Sequence, residues 1–503
     1  MSKRFLYNIL CAGALLCSLP ASAQTGSNVY GKARLMNEID SGYRGLWYHI
    51  DSGGEGSGEY LYKYSGGLGT YPSNHYPFSV YVPGVRKTFF CFGGTDSTGQ
   101  TLYHEVSYFD HVTGKVPRPT IVLDKATNDA HDNPVIQVDR EGYIWIFSTS
   151  HGTGRPSFIH RSVKPYDITR FEYVPATKMV NGKEVLMNNF SYLQMYYTDS
   201  DGFLGLFTHY DRKKLINGMT NCRDIAWMTS KDGIHWSEWK DLADIQQGHY
   251  QTSGQQGRRV GTSFNYHPDR KVKAGLDYRT NLYYLQTDDF GKTWKTVNGN
   301  PVGLPLTAVT NAALVHDYAA EGLNVYICDV NFDESGNPVI LYLTSKGPEA
   351  GPANGPRQWH TAWWSGTRWE IHPFTTSGNN YDMGSIYIEA DGSWKIIAPT
   401  TMGPQPYNTG GEMDMWISRD KGKSWEKTRQ LTDGSRYNHT YARRPVGAQP
   451  GFYALWADGN GREFSQSHLY FSDRDGNVFQ LPQTMTSDFE TPLRYKAKGM
   501  EKH

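Results

Sequence analysis

The hydrophobic pattern of this chain repeats with a long period. A glycine-bearing turn is followed by a short apolar run. The unit recurs as Gly84-VRKTFFCF, Gly142-YIWIFSTS, Gly202-FLGLFTHY, Gly261-TSFNYHP, Gly336-NPVILYLTS, Gly392-SWKIIAPTT and Gly451-FYALWAD. Successive glycines lie 58, 60, 59, 75, 56 and 59 residues apart. The runs are strand-length and rich in β-branched and aromatic residues. A unit of that size holds four short strands, and seven units use up the chain. The predicted fold class is therefore all-β, a seven-bladed β-propeller with four-stranded antiparallel blades. No long amphipathic helix pattern, linker or low-complexity segment follows residue 30, so residues 24–503 are read as a single domain.

A second pattern supports the first. Ser230-KDGIHW, Thr287-DDFGKTW and Ser418-RDKGKSW each combine a hydroxyl, Asp, Gly and Trp. They look like Asp-boxes, the outer hairpins of sialidase-type and related propellers. Asp and Gly suit the tight turn, and Trp packs between strands. Their expected role is structural.

The first residues break the period. Residues 1–23 carry Lys3 and Arg4, then an apolar run, then Ala21-Ser22-Ala23 ahead of Gln24. That is the layout of a secretory signal peptide. The expectation is an exported protein, periplasmic or extracellular, with no membrane insertion. Cys91, Cys222 and Cys328 follow the leader. Their odd, wide spacing predicts small buried apolar residues with at most one bridge, and no disulfide framework.

Charge narrows the partner. Lys plus Arg number 50, and Asp plus Glu number 50. A neutral chain argues against nucleic-acid binding through bulk charge, and it leaves room for an acidic ligand met by a few local arginines. The 35 Tyr and 14 Trp suit blade packing first and sugar stacking second. A monomer is expected.

The period also places residues in space. Positions about ten before each glycine and about nine after it fall at one end of the strands, by strand rise and antiparallel pairing. Before the turns these are His75, His131, Tyr192, Tyr250, Tyr381 and His439; after them come His151, His209, Arg212 and His267. Imidazoles and phenols from several units thus converge, as in a funnel-shaped site. β-Elimination beside a uronic acid needs such groups: a cation for the carboxylate, a base for the neighbouring proton and an acid for the leaving oxygen. A two-carboxylate glycosidase needs facing acids. The register places only Asp132 and Asp382 nearby. No H-x-H or HExxH spacing occurs, so no cofactor is expected, though a structural calcium or zinc ion in a blade loop stays open.

These residues sit in longer matching stretches. They include Gly42-YRGLWY, Lys63-YSGGLGTYPSNHYPFSVY, Lys87-TFFCFGG, Val106-SYFDHVTGKVPRPT, Asp129-AHDNP, Ser148-TSHGTGRPSFIHRS and Arg279-TNLYYLQTDDFGKTW. Through them the chain resembles the BNR-4 family of secreted propellers over nearly its whole mature length. The resemblance implies cleavage of L-rhamnose α-1,4-linked to D-glucuronic acid in acidic polysaccharide. Its branches include ulvan lyases, rhamnose–glucuronate lyases and α-L-rhamnosidases. The lyase residues carry over to His131, His151, Tyr192 and Arg212, with Tyr196 a rival for Tyr192 and His209 a rival for the arginine. Tyr250, Arg279, His209, Tyr381 and His439 are the expected substrate contacts. The rhamnosidase branch uses one His on the opposite face, which falls on His49 in Gly45-Leu46-Trp47-Tyr48-His49. The favoured expectation is an exo-α-L-rhamnosidase acting through His49 on arabinogalactan-type side chains. A lyase using the His/Tyr/Arg set is the alternative, and a non-catalytic sugar-binding propeller the third reading.

Overall fold

The computed structural model describes residues 30–51, 57–68, 74–187, 189–211, 222–269 and 277–495. The leader, Arg212 and the Cys222 side chain lie outside what is described. Among the described residues, the regular structure is β apart from short 3-10 turns. Largely antiparallel sheets follow one another along the described residues, and four of the nine have four strands. The second sheet shows the plan: Pro134–Val138, Ile144–Ser148, Phe158–Ser162 and Phe171–Tyr173 pair in that order from inside to outside. The fourth, fifth and sixth sheets repeat it, starting at Gln251–Gln256, Asn324–Phe332 and Ser385–Ile388. The first sheet starts at Ser79–Val82 and gains Arg34–Ile39 outside, antiparallel to Thr120–Asp124. The third starts at Ser191–Thr198 and carries the extra hairpin Thr177–Val180/Lys183–Leu186. The last starts at Asn438–Arg443. Its chain then bonds back to the first sheet, where Tyr81 N donates to Val446 O and Val446 N to Ser79 O, both at 2.9 Å. The sheets close on themselves as a propeller does.

Each of the seven glycine–apolar segments lies on the second strand of a sheet or in the turn before it. One detail differs. Gly261 sits inside the strand Arg259–Tyr266, and the turn falls at Gly257 (φ +59°). A Cβ on Gly261 would lie 2.2 Å from the Tyr284 hydroxyl, so the glycine serves close packing. The Asp-boxes lie beyond the third strands, as expected. In each, the first hydroxyl accepts a glycine N–H (Ser230 from Gly233, Thr287 from Gly291, Ser418 from Gly422), and the Asp carboxylate accepts the N–H groups that follow. Cys91 and Cys328 are buried free thiols.

The innermost strands face a problem of accounting. Each has one edge in its own ladder and one edge toward the axis, where a buried backbone group needs a partner. Buried amide side chains supply many of these. Gln137 donates to Met195 O (2.7 Å), Gln194 donates to Gln251 O (3.0 Å) and accepts from Ser253 N (2.6 Å), Asn265 donates to Val325 O (3.0 Å), and Asn331 donates to Ile386 O (3.0 Å). Each bond joins one sheet to the next. Apolar packing fills the wedges outside them, with Trp145, Trp394 and Trp456 fully buried on second strands.

Gln194→Met keeps the side-chain shape and removes both bonds. It strands the buried Ser253 N–H, while Gln251 O keeps the Asn74 amide (2.7 Å), which predicts a loss of about 1–3 kcal/mol. An unchanged urea midpoint would show that these amides do not hold the sheets together.

Candidate active site

The connections into first strands and out of second strands all emerge at one end of the ring. His131 lies just before Pro134–Val138, and His151 just after Ile144–Ser148. Tyr192 opens Ser191–Thr198, Tyr250 precedes Gln251–Gln256, and Tyr381 precedes Ser385–Ile388. Third strands begin at this end too, which brings Arg223 and Arg279 there.

Asp129 organises the cluster. It caps the 3-10 turn Ala130–Asp132 by accepting His131 N. Its Oδ1 then takes His131 Nδ1 at 2.5 Å, and its Oδ2 takes His151 Nδ1 at 2.9 Å. The two rings stack with centroids 4.0 Å apart. A carboxylate only accepts, so each Nδ1 carries its proton and each Nε2 is left as an acceptor. On His131 that acceptor meets Tyr64 Oη at 2.9 Å, while Tyr48 Oη lies 2.7 Å from Nδ1. His151 has a side chain 31% exposed, so its Nε2 is the one offered to a ligand. Buried Asp132 fixes His151 from below by accepting its backbone N–H at 2.6 Å. Arg155 bridges both acids, with Nε on Asp132 and Nη2 on Asp129, each at 2.7 Å.

These contacts set the charges. Burial opposes ionisation of Asp129, yet the two imidazoles hold its carboxyl well below the usual carboxylate range. Burial, and then the neighbouring His151, push His131 down to about 4 against the pull of Asp129. His131 is therefore neutral at neutral pH.

Tyr192 faces this pair. Its ring centroid is 5.9 Å from His131, 6.1 Å from His151 and 5.6 Å from Tyr250. It holds a left-handed backbone (φ 49°) at a bulge between Ser191 and Gln194. That conformation costs an aromatic residue about 1–3 kcal/mol, strain of the kind that collects at functional sites. Beyond it runs a belt of cations and phenols. Arg223 donates to Tyr250 Oη (2.9 Å), Arg279 lies 4.4 Å over the Tyr250 ring, and Arg279 donates to Tyr381 Oη (3.1 Å). Tyr381 returns to Tyr64 with ring centroids 4.8 Å apart, which closes the circuit on His131.

The expected residues thus divide. His131, His151, Tyr192, Tyr250, Arg279 and Tyr381 come together. His209 does not: it meets Asp241 (3.2 Å) and Trp239, while its neighbour Tyr210 packs beside Arg223 on the other side of the strand. His439 is buried against Ser435 and Trp456 in the last sheet, where burial lowers its pKa. Tyr196 packs on Tyr76, away from the histidines. His75 and His267 are wholly buried behind the site.

His49 corrects the expected geometry. Its neighbour Tyr48 bonds His131 and Asp129, so the strand Trp47–Asp51 lies over the same end and not the opposite face. His49 points to the other side of that strand. It pairs with Asp51 (3.2 Å) and lies against Tyr62 and Trp47, in a cleft of about 470 Å³ that Asp129 also lines. The expected shortage of acids also fails at the centre: the register marked Asp132 and overlooked Asp129, two residues before His131. Tyr48, Tyr64 and Arg223 were overlooked as well, because the first two lie outside the repeat and the third begins a third strand. Among the described residues, donor atoms close enough for a cation occur in two groups, Asp129/His131/His151 and His209/Asp224/Asp241.

A family model described as BNR repeat-containing family member matches residues 104–377. An ulvan lyase of Nonlabens ulvanivorans is 22% identical over 340 residues, which cover 60% of this chain and 65% of that enzyme, just under two thirds of its length. An ulvan lyase of Alteromonas sp. (strain LOR) is 22% identical over 379 residues, 70% of this chain and 73% of that enzyme. Among solved structures, a polysaccharide lyase family 25 ulvan lyase superposes with a TM-score of 0.62 at 17% identity, covering 88% of this chain and 96% of its own. Another superposes equally well and is described as bound to -[GlcA(1-4)Rha3S]-. At these identities the structural likeness is one of fold.

The neutral state of His131 has a measurable consequence. Its ordinary value near 6.5 falls to about 4 in the folded protein. Between those values the unfolded chain binds the proton and the folded one does not. His131 therefore subtracts stability as pH falls from about 6.5 toward 4, by up to roughly 1.4 kcal/mol per pH unit. His131→Gln should flatten the fall of the urea midpoint across that window. An equal slope in both proteins would contradict a buried neutral His131.

Proposed function

The chain belongs to the BNR repeat-containing family, and from that premise and the geometry at Asp129 we propose that it is a polysaccharide lyase. Its substrate would be an acidic polysaccharide in which L-rhamnose is α-1,4-linked to D-glucuronic acid. One observation carries the reading: two stacked imidazoles share one carboxylate, face a strained tyrosine, and stand beside a belt of arginines. Each part answers a need of β-elimination. Arg223 and Arg279 draw the uronate carboxylate and stabilise the charge that builds on it as the adjacent carbon loses its proton. His151 Nε2, oriented through Asp129, takes the proton from C5. The C4–O bond breaks, a C4–C5 double bond forms, and Tyr192 returns a proton to the departing rhamnosyl oxygen. Water is not consumed. His131 holds Asp129 and His151 in place.

The rhamnosidase reading is less well supported. His49 has a carboxylate neighbour but is an exposed residue in an aromatic cleft, and the curated relatives above are named as lyases. In this reading it contacts the sugar beside the cleaved bond. We further infer seven blades, since the sheets of four or more strands number seven among the described residues. A single exported domain from residue 24 belongs to the same proposal.

The test is product chemistry on rhamnose–glucuronate polysaccharide. Elimination raises ultraviolet absorbance, from the new double bond conjugated with the carboxylate. His151→Ala and Tyr192→Phe should each lower kcat by about 10²–10⁴-fold. Release of free rhamnose with no absorbance change would overturn the proposal in favour of hydrolysis.

A further inference from the structure

The register that brings His131 and His151 together also operates in the sixth sheet, where it frames a second cavity at the same end. Asp382 lies ten residues before Gly392 and Thr401 nine after it, as His131 and His151 lie 11 before and nine after Gly142. Asp382, Thr401 and Met402 line a cavity of about 490 Å³, together with Arg357, Ser377 and Tyr407. That volume falls within the range of about 300–1,000 Å³ typical of small-molecule sites.

Its lining mixes polar and apolar side chains. Asp382 is buried, and its carboxylate accepts Asn379 N (2.8 Å) and Gly410 N (2.7 Å). Burial, against those two bonds, pushes its pKa up to about 7. It can therefore give or take a hydrogen bond with a hydroxyl near neutral pH. Arg357 is buried too. Its guanidinium donates to Asn380 Oδ1 and to the carbonyls of Gly351 and Glu349 at 2.6–3.1 Å, so it braces the wall and is largely spent as a cation. Thr400 and Thr401 donate to Asp414. Tyr407 and the half-exposed Met402 supply an apolar side. A neutral, hydroxyl-bearing ring with one apolar face fits this mixture better than an anion does. The cavity also adjoins the central belt, since Tyr381, which binds Arg279, is the residue before Asp382.

We propose that the Asp382–Tyr407 cavity is a second saccharide subsite, which holds an uncharged sugar unit of the polymer away from the bond that is cleaved. This rests on the polysaccharide reading above and adds chain length as a determinant of affinity.

Two variants test it. Gly378→Leu grows into the cavity: its Cβ would sit 3.4 Å from Met402 Sδ and 3.5 Å from Tyr407 Cα, ordinary contacts that the fold accepts. Met402→Trp crowds the half-exposed apolar side and leaves the hydrogen bonds of the wall in place. Retardation in a gel containing ulvan reads binding without any cleavage. Each variant should bind the polymer about tenfold more weakly, the scale of one or two lost hydrogen bonds. Turnover of the shortest cleavable oligosaccharide should stay as in the parent. Unchanged retardation in a folded variant overturns the subsite, and so does equal loss on short and long substrates. A parent protein that binds ulvan and yields no unsaturated product sinks the lyase reading alone and leaves the subsite standing.

Discussion

The axis of the ring imposes the constraint on which the rest depends. Strands that converge there cannot pair with one another along their length, yet their inner edges are buried. Side-chain amides meet that need from sheet to sheet, as Gln194 does with both Gln251 and Ser253. The solution is polar and directional, so it fixes the offset between neighbouring sheets as well as holding them. A purely apolar axis would leave that offset loose. Connections at the strand ends inherit the precision, and the functional groups sit on those connections.

The site extends the same accounting to charge. Asp129 and Asp132 lie side by side in a largely buried turn, which would be costly without partners. Arg155 and two imidazoles answer them, and Lys125 approaches Asp132 from beneath at 3.7 Å. One result is a single defined tautomer on each ring. Another is an ordered pair of histidines facing Tyr192, whose strained backbone is held by the sheet around it. Positioning of this kind is what acid–base catalysis requires, since proton transfer falls away quickly with distance and angle.

Much of this was legible in the sequence, and the failures have physical reasons. The repeat predicted the second strand of each of the seven larger sheets, because glycine turns and apolar runs are local. It also found His131, His151, Tyr192, Tyr250 and Tyr381, because strand rise alone places them. It misplaced His209, where a one-residue step along a strand turns a side chain to the other face. It misplaced His439, whose imidazole turns back into the sheet to take Trp456 Nε1–H. Tyr48 and Tyr64 escaped because their two-stranded hairpin stands outside the period. Asp129 escaped because a register counts strand ends and says nothing of a capping residue one turn earlier. His49 was assigned to the wrong end, since no local pattern tells where a hairpin outside the repeat will fold.

In the proposed reaction, elimination occurs where His151 and Tyr192 meet and not at His49. A crystal structure of Tyr192→Phe with a rhamnose–glucuronate oligosaccharide addresses it directly. The uronate carboxylate is expected on Arg223 or Arg279, with C5 within about 3.5 Å of His151 Nε2, near-attack distance for proton transfer. A complex with the glycosidic oxygen against His49, and the uronate far from both arginines, would contradict it.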